Sequence, residues 1–244
     1  MSSHETYFIT GGNRGIGYEL VKQIASNKNN KVIASVRKPS SATPLIELNK
    51  QLGNISVVTL DIGDEKDILN LSKQLAEVTD GIDVFISNAG ISDSYYTILD
   101  LPVDIWKEHL QVNTLGPILI FKQVYPFLLK KDTRKVVFTS SLAGSIQDMP
   151  SLSFSAYGQS KAALNYVMKE LSFEVPDGFK VISFHPGMVS TDMGKLGLKI
   201  LPELKELTPI TPAESAKSEI EIINHLTRDD NGKFYSYDGS AILF

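Results

Sequence analysis

The sequence predicts an α/β fold in a single domain over residues 1–244, a doubly wound parallel β-sheet with helices on both faces. Three observations carry this. Short β-branched runs alternate with helix-period stretches, the runs are apolar at nearly every position rather than every second one, and no repeat or linker composition interrupts them. Alternating strand and helix signals favour crossover connections between parallel strands, and a strand covered on both faces has few polar positions. With 244 residues, 42% of them hydrophobic, the chain can build one large core.

In order, Tyr7–Thr10 reads as a buried strand, followed by a helix marked by Ile16, Leu20 and Ile24. Lys31–Val36 and Ile55–Leu60 are the next strands, and Ile68, Leu71, Leu75 and Val78 mark another helix. Strands are then expected at Ile82–Ser87, Arg134–Ser140 and Phe179–Phe184. The helical region Val103–Lys130 carries Pro117 and Pro126, which predict a kink or break. Gly194–Pro212 holds three of the eleven prolines and reads as an irregular excursion, a flap at about 193–212. Asn231–Gly239 places turn signals around a short alternating strand.

Charge and cysteine usage bound the function. There are 24 basic and 28 acidic residues, net −4, with no long run of either sign, so neither nucleic acid nor an anionic membrane is an expected partner; a small molecule is. With no cysteine, disulfides, a thiolate nucleophile and a Cys-based zinc site are excluded. The polar start MSSHET and the absence of a membrane-length apolar run predict a soluble, cytoplasmic protein.

The stretch TGGNRGIG, Thr10–Gly17, follows a strand and opens a helix. That is the setting in which backbone N–H groups and a helix N-terminus hold a pyrophosphate, although such a loop can also be only a tight turn. Gly11, Gly15 and Gly17 stand four and then two apart, which is not G-x-G-x-x-G, and no G-K-[ST] P-loop occurs. A cofactor without a 2′-phosphate is usually held by an acidic residue about 20 residues further on. None occurs between Glu19 and Glu47, and the second strand ends in Val36-Arg37-Lys38. Arg14 and Arg37 are thus either ligands of a phosphate on the adenosine ribose or solvated surface charges; the missing carboxylate favours the first.

Tyr157 and Lys161 are four apart on a helix and share a face. A tyrosine titrates near 10, and lowering that by ~3 units needs about 4 kcal/mol. An ammonium about 4 Å away in a medium of effective dielectric ~20 supplies roughly that. The pair can therefore do general acid–base chemistry. His4, His109, His185 and His225 show no ligand spacing, so no metal is expected, and a G-x-S-x-G nucleophile elbow is missing. Leu196–Leu207 could be an amphipathic membrane helix, but Pro202 and its mixed charges favour a mobile flap over a pocket. Phe154, Met188, Met193 and Tyr95 are candidate pocket residues that could equally be core.

Taken in order, Thr10-Gly11-x-x-x-Gly15-x-Gly17, Asp61, Asn88-Ala89-Gly90, Asn113, Ser141, Tyr157, Lys161 and Pro186-Gly187 with Thr191 resemble the short-chain dehydrogenase/reductase (SDR) family across nearly the full chain. The 16-residue step from Ser141 to Tyr157 and the tail Gly232–Gly239 resemble its C-factor-like and sniffer-like carbonyl reductase subgroup. The resemblance implies a single-domain Rossmann fold and an NADP(H)-dependent oxidoreductase, NADPH being preferred over NADH. Tyr157 would protonate a carbonyl oxygen as pro-S hydride arrives, Ser141 (or, as the fallback, Ser140) would hydrogen-bond that oxygen, and Lys161 would lower the tyrosine pKa and hold the nicotinamide ribose. Asn113 would position a water joining Lys161 to solvent. Gly11, Asn13, Arg14, Gly15, Ile16, Gly17 and Arg37 would hold the phosphates, Asp61 and Ile62 the adenine. Asn88 would support the central strands and, with Ala89, Gly90, Pro186 and Gly187, belong to the cofactor site, while Val189 and Thr191 would fix the nicotinamide amide. The substrate would be a small ketone, aldehyde or diketone, and the assembly a homodimer or homotetramer. A non-catalytic NADP(H) sensor or scaffold on the same fold is the alternative, disfavoured by the intact Asn113, Ser141, Tyr157 and Lys161.

Overall fold

The apolar runs become strands buried on both faces. A computed structural model describes residues 4–201, 203–204 and 208–244. Its strands are β1 (Thr6–Ile9), β2 (Lys31–Val36), β3 (Ile55–Thr59), β4 (Val84–Ser87), β5 (Lys135–Thr139), β6 (Lys180–His185) and β7 (Phe234–Ser236). Among the described residues these form one sheet in the order β3-β2-β1-β4-β5-β6-β7, every neighbouring pair parallel. The doubly wound sheet expected from the sequence is therefore the observed one. The strand order reverses between β1 and β4, which opens a crevice at their carboxyl ends.

Helices cover both faces: α1 (Gly15–Ser26), α2 (Thr43–Leu52), α3 (Glu65–Leu69), α4 (Leu71–Val78), α5 (Val103–Leu110), α6 (Gly116–Leu128), α7 (Ser155–Glu174), α8 (Asp192–Ile200) and α9 (Pro212–His225). The two-residue alternation along β1 divides the core. Tyr7 and Ile9 pack with Leu20, Val21 and Ile24 of α1 and Ala216 and Ile223 of α9. Phe8 faces the other way, stacked on Phe85 at 5.6 Å, and Phe85 meets Phe138 edge-on at 6.3 Å.

Two expectations are corrected and one holds. The helix expected through Ile68–Val78 is two helices, α3 and α4, meeting at Asn70. The Val103–Lys130 region breaks, as expected, at a π-helical turn, Gln111–Leu115, just before Pro117. The physical reason is Pro117, which has no N–H to give the Asn113 carbonyl four residues back. Gly194–Pro212 is not wholly irregular, since Asp192–Ile200 is helical and Thr191 caps it by accepting from the Gly194 N–H at 3.2 Å. Pro202 and residues 205–207 of the expected flap lie outside the described residues. Helix α9 was legible in Thr211-Pro212-Ala213-Glu214, a capping box in which the Thr211 hydroxyl accepts from the Glu214 N–H at 3.2 Å and the Glu214 carboxylate accepts from the Thr211 N–H at 2.7 Å.

Helix α9 packs on α1 through Ser215, Ala216, Glu219 and Ile223. Glu219 is fully buried, and neither carboxyl oxygen has a hydrogen-bond partner among the described residues. Burial pushes its pKa from 4.5 to about 8. Between those values the folded chain keeps a proton that the unfolded chain releases. Stability is therefore fully present below pH 4.5 and falls as pH rises towards 8, by up to about 1.4 kcal/mol per pH unit. Glu219→Gln is expected to flatten that decline and to raise the melting temperature at pH 8; an unchanged pH slope in thermal scans would count against it.

Candidate active site

Parallel strands send their following loops to one edge of the sheet, so the segments after β1, β4, β5 and β6 converge at the crevice. The first is the glycine loop. Gly11 and Gly15 have φ of +69° and +55°, a region costly for other residues. A Cβ on Gly17 would lie 2.2 Å from the Gly11 carbonyl oxygen, so only glycine lets the start of α1 close on the strand end. Arg14, at the N-cap of α1, makes no side-chain cap bond, and the first turn contains no acidic residue. This leaves the positive helix end open to an anion. Asn13 and Ile16, both half-buried, flank it.

The seam between β1 and β4 is cross-linked. Asn88 Nδ2 donates to the Thr10 carbonyl at 2.9 Å, and the Ala89 N–H donates to the Thr10 hydroxyl at 3.0 Å. Arg37 is exposed just beyond β2. Arg14 is exposed too, its guanidinium 3.8 Å from Asp192, and such a solvated pair is worth little. Asp61 is half-buried and accepts from the Gly63 N–H at 3.0 Å. Ile62 sits against the π-helical turn: a Cβ on Gly116 would come within 2.3 Å of its carbonyl oxygen. After β6, Gly187 has φ +81° and lies under the ring of Tyr237, and the Pro186 carbonyl accepts from the Ser215 hydroxyl at 2.8 Å. Val189 bridges Ile210, and Thr191 packs against Gly15, so the segment after β6 is tied to the glycine loop.

Tyr157, Ser141 and Lys161 come together in the same crevice. Ser155, the first residue of α7, holds φ +50°, a strained value for a non-glycine residue two positions before Tyr157. The turn Leu142–Gly144 locks onto α7, since a Cβ on Gly144 would meet the Lys161 backbone at 2.7 Å and one on Gly158 the Ala143 carbonyl at 2.8 Å. This brings the Ser141 hydroxyl onto the Tyr157 phenol. The neighbouring Ser140 hydroxyl is buried without a hydrogen-bond partner among the described residues. Lys161 Nζ donates to the Thr139 carbonyl at 2.7 Å and stands 5.8 Å from the Tyr157 ring centre. Gly90 closes the group, for a Cβ there would lie 2.9 Å from Asn113 Oδ1 and 3.5 Å from Lys161 Nζ.

Burial dominates the electrostatics. It pushes Tyr157 up to about 12, against the lowering by the Ser141 hydrogen bond, with a small further rise from Tyr95. It also pushes Lys161 down to about 8. The lowering of Tyr157 expected from Lys161 is therefore not seen in this arrangement, because the ammonium is turned to the Thr139 carbonyl. The Asn113 side chain is fully engaged with protein groups. It grips the β4 loop, Oδ1 accepting from the Ile91 N–H at 2.8 Å and Nδ2 donating to the Ile91 carbonyl at 2.9 Å and to Ser160 Oγ at 3.0 Å. Ser160 and the Thr139 carbonyl were overlooked in the sequence. Ser160 was findable, one position before Lys161 and on the face that meets Asn113.

His185 is held neutral by burial, its pKa lowered to about 4, and its Nδ1 accepts from the Leu142 N–H at 3.2 Å. No group of three or more His, Asp or Glu able to hold a metal occurs among the described residues, and none of their helices is long and apolar enough to cross a membrane.

Comparison with known proteins agrees with this geometry. Residues 5–197 match the family described as short chain dehydrogenase. An uncharacterized oxidoreductase of Schizosaccharomyces pombe is 46% identical, covering 100% of this chain and 99% of the relative. The NADPH-bound carbonyl reductase from chicken fatty liver superposes with a TM-score of 0.90 at 27% identity, covering 99% of this chain and 95% of that one. Carbonyl reductase Sniffer of D. melanogaster gives 0.87 at 28% identity, covering 99% and 100%. A doubly wound sheet, a glycine loop at its reversal point and a Ser-Tyr-Lys group beside it, matched over this length, make the chain an oxidoreductase of the short-chain dehydrogenase family.

Proposed function

We propose that the chain is a single NADP-binding domain over residues 1–244 that reduces a small ketone, aldehyde or diketone to the alcohol. The observation that carries the reading is the meeting of Ser141, Tyr157 and Lys161 at the strand reversal, beside a loop whose glycines leave bare backbone. The residues fit the cofactor. Glycine at 11, 15, 17 and 90 lets the segments around the crevice close on one another, since a Cβ there would lie 2.2–3.2 Å from neighbouring protein atoms, and no acidic residue stands at the end of β2 to repel a 2′-phosphate. Arg14 and Arg37 would hold that phosphate, with Asn13 and Ile16 at the pyrophosphate and Asp61 and Ile62 at the adenine. Asn88, Ala89 and Gly90 would line the cleft, and Pro186, Gly187, Val189 and Thr191 the nicotinamide end.

The bound reduced nicotinamide supplies hydride. Tyr157, kept protonated at neutral pH by its burial, gives its phenolic proton to the carbonyl oxygen, and Ser141 donates a hydrogen bond to that oxygen as charge develops. Lys161 then stabilises the phenolate and, with a pKa near 8, can return a proton. The Asn113 main-chain carbonyl, which Pro117 cannot satisfy, is the group we assign to holding the relay water. The exposed Tyr166 and Phe173, seven apart on α7, support a homo-oligomer.

Tyr157→Phe is expected to lower carbonyl-dependent NADPH oxidation by at least ~100-fold, with NADPH affinity, followed by its fluorescence, changed less than twofold. Tight NADPH binding without turnover of any aldehyde, diketone or quinone by the unaltered chain would favour the sensor instead. Arg37→Gln and Arg14→Gln are each expected to weaken NADPH binding roughly ten- to a hundredfold and NADH binding hardly at all. Equal loss for both cofactors would remove the 2′-phosphate assignment.

A further inference from the structure

The segment after β4 runs along the helix that carries Asn113, and its contacts repeat. Asn113 binds both the N–H and the carbonyl of Ile91, as a neighbouring strand would. One turn earlier stands His109, fully buried, its Nδ1 bonded to the Ile105 carbonyl at 2.9 Å. Its Nε2 has no hydrogen-bond partner among the described residues and faces Asp93 Oδ1 at 3.6 Å, beyond hydrogen-bond length but within ion-pair reach. The spacing has a simple cause: four helical residues advance about 6 Å and two extended ones about 6.6 Å, so Asn113 and His109 meet Ile91 and Asp93 in register.

Two residues further on is Tyr95. Its hydroxyl is 3.1 Å from the Ser92 hydroxyl, and a Cβ on Gly197 would lie 3.1 Å from it. Gly197 is the buried residue of α8, so Tyr95 is where this helix rests on the loop. Its phenol is also near enough to Tyr157 to act on it electrostatically. Tyr95 thus touches α8 on one side and acts on the reacting tyrosine on the other.

We propose that Tyr95 is a substrate-contacting residue that sets specificity, and that His109 with Asp93 is the positioning pair that holds it there. The substrate class rests on the carbonyl reductase reading. In the neutral ring, with Nδ1–H given to Ile105, Nε2 is an acceptor; in the charged ring it is a donor to the carboxylate. An asparagine at 93 can give an N–H to the neutral ring, whereas alanine can give nothing.

The test uses the full chain and its variants Asp93→Ala, Asp93→Asn, His109→Phe and Tyr95→Phe. Asp93 is an exposed side chain, so its variants are expected to fold even where His109→Phe does not. Asp93→Ala should raise the carbonyl KM about five- to tenfold, more than it lowers kcat, with Asp93→Asn restoring most of the loss. Amide exchange in the 89–96 segment should quicken several-fold in Asp93→Ala and not in Asp93→Asn. Tyr95→Phe should reorder preference across the substrate panel, and the Asp93→Ala/Tyr95→Phe pair should lose less than the product of the single losses. Unchanged KM and exchange in Asp93→Ala overturn the positioning pair, and fully multiplicative losses overturn its action through Tyr95. If the unaltered chain turns over no carbonyl, the proposed function fails, while the exchange experiment still decides the pair.

Discussion

The contact on which the site depends is the hydrogen bond from Asn88 across the β1–β4 seam to the Thr10 carbonyl. A parallel sheet with reversed winding must part its crossovers there, and parted loops drift unless something joins them. Asn88 and the Thr10 hydroxyl join them with two bonds, fixing the glycine loop relative to Gly90. Lys161 and Asn113 then close on Gly90 from the far side. The glycine loop and the Ser141-Tyr157-Lys161 group are held by the same few ångströms of backbone.

Burial governs the chemistry more than any pair of charges does. Tyr157 and Lys161 are both driven toward their neutral forms, so that the site holds a protonated phenol beside an amine of reduced basicity. That suits proton delivery to an oxygen gaining charge, because a proton is present and the lysine can exchange one near neutral pH. Glu219 responds to the same cause with the opposite consequence, a proton retained at a place with no reaction to use it.

The helix from Val103 to Leu128 serves several ends at once. Its π-helical turn, imposed where Pro117 has no N–H to donate, sets Asn113 at the centre of the site. From there the Asn113 carboxamide reaches Ile91 on one side and Ser160 on the other. The helix is thus both a wall of the core, through Phe121 and Val124, and the support to which Asn113 ties the segment after β4.

Strand positions, the parallel sheet, the glycine loop and the Tyr157–Lys161 pair were legible in the chain itself, because apolar runs, glycine spacing and an i, i+4 pair are local signals, whereas Ser141 was implied only by the family resemblance. The missing carboxylate after β2 was equally plain. Helix α9 had its capping box in Thr211 and Glu214, yet its buried face is short and interrupted by Glu219, which hides the period. Tertiary structure alone decided that Lys161 turns to the Thr139 carbonyl, that Asn113 binds and His109 faces one loop, and that Gly197 receives Tyr95. Those contacts join residues far apart in the chain, and their distances follow from how helices and loops pack on the sheet rather than from any spacing along it.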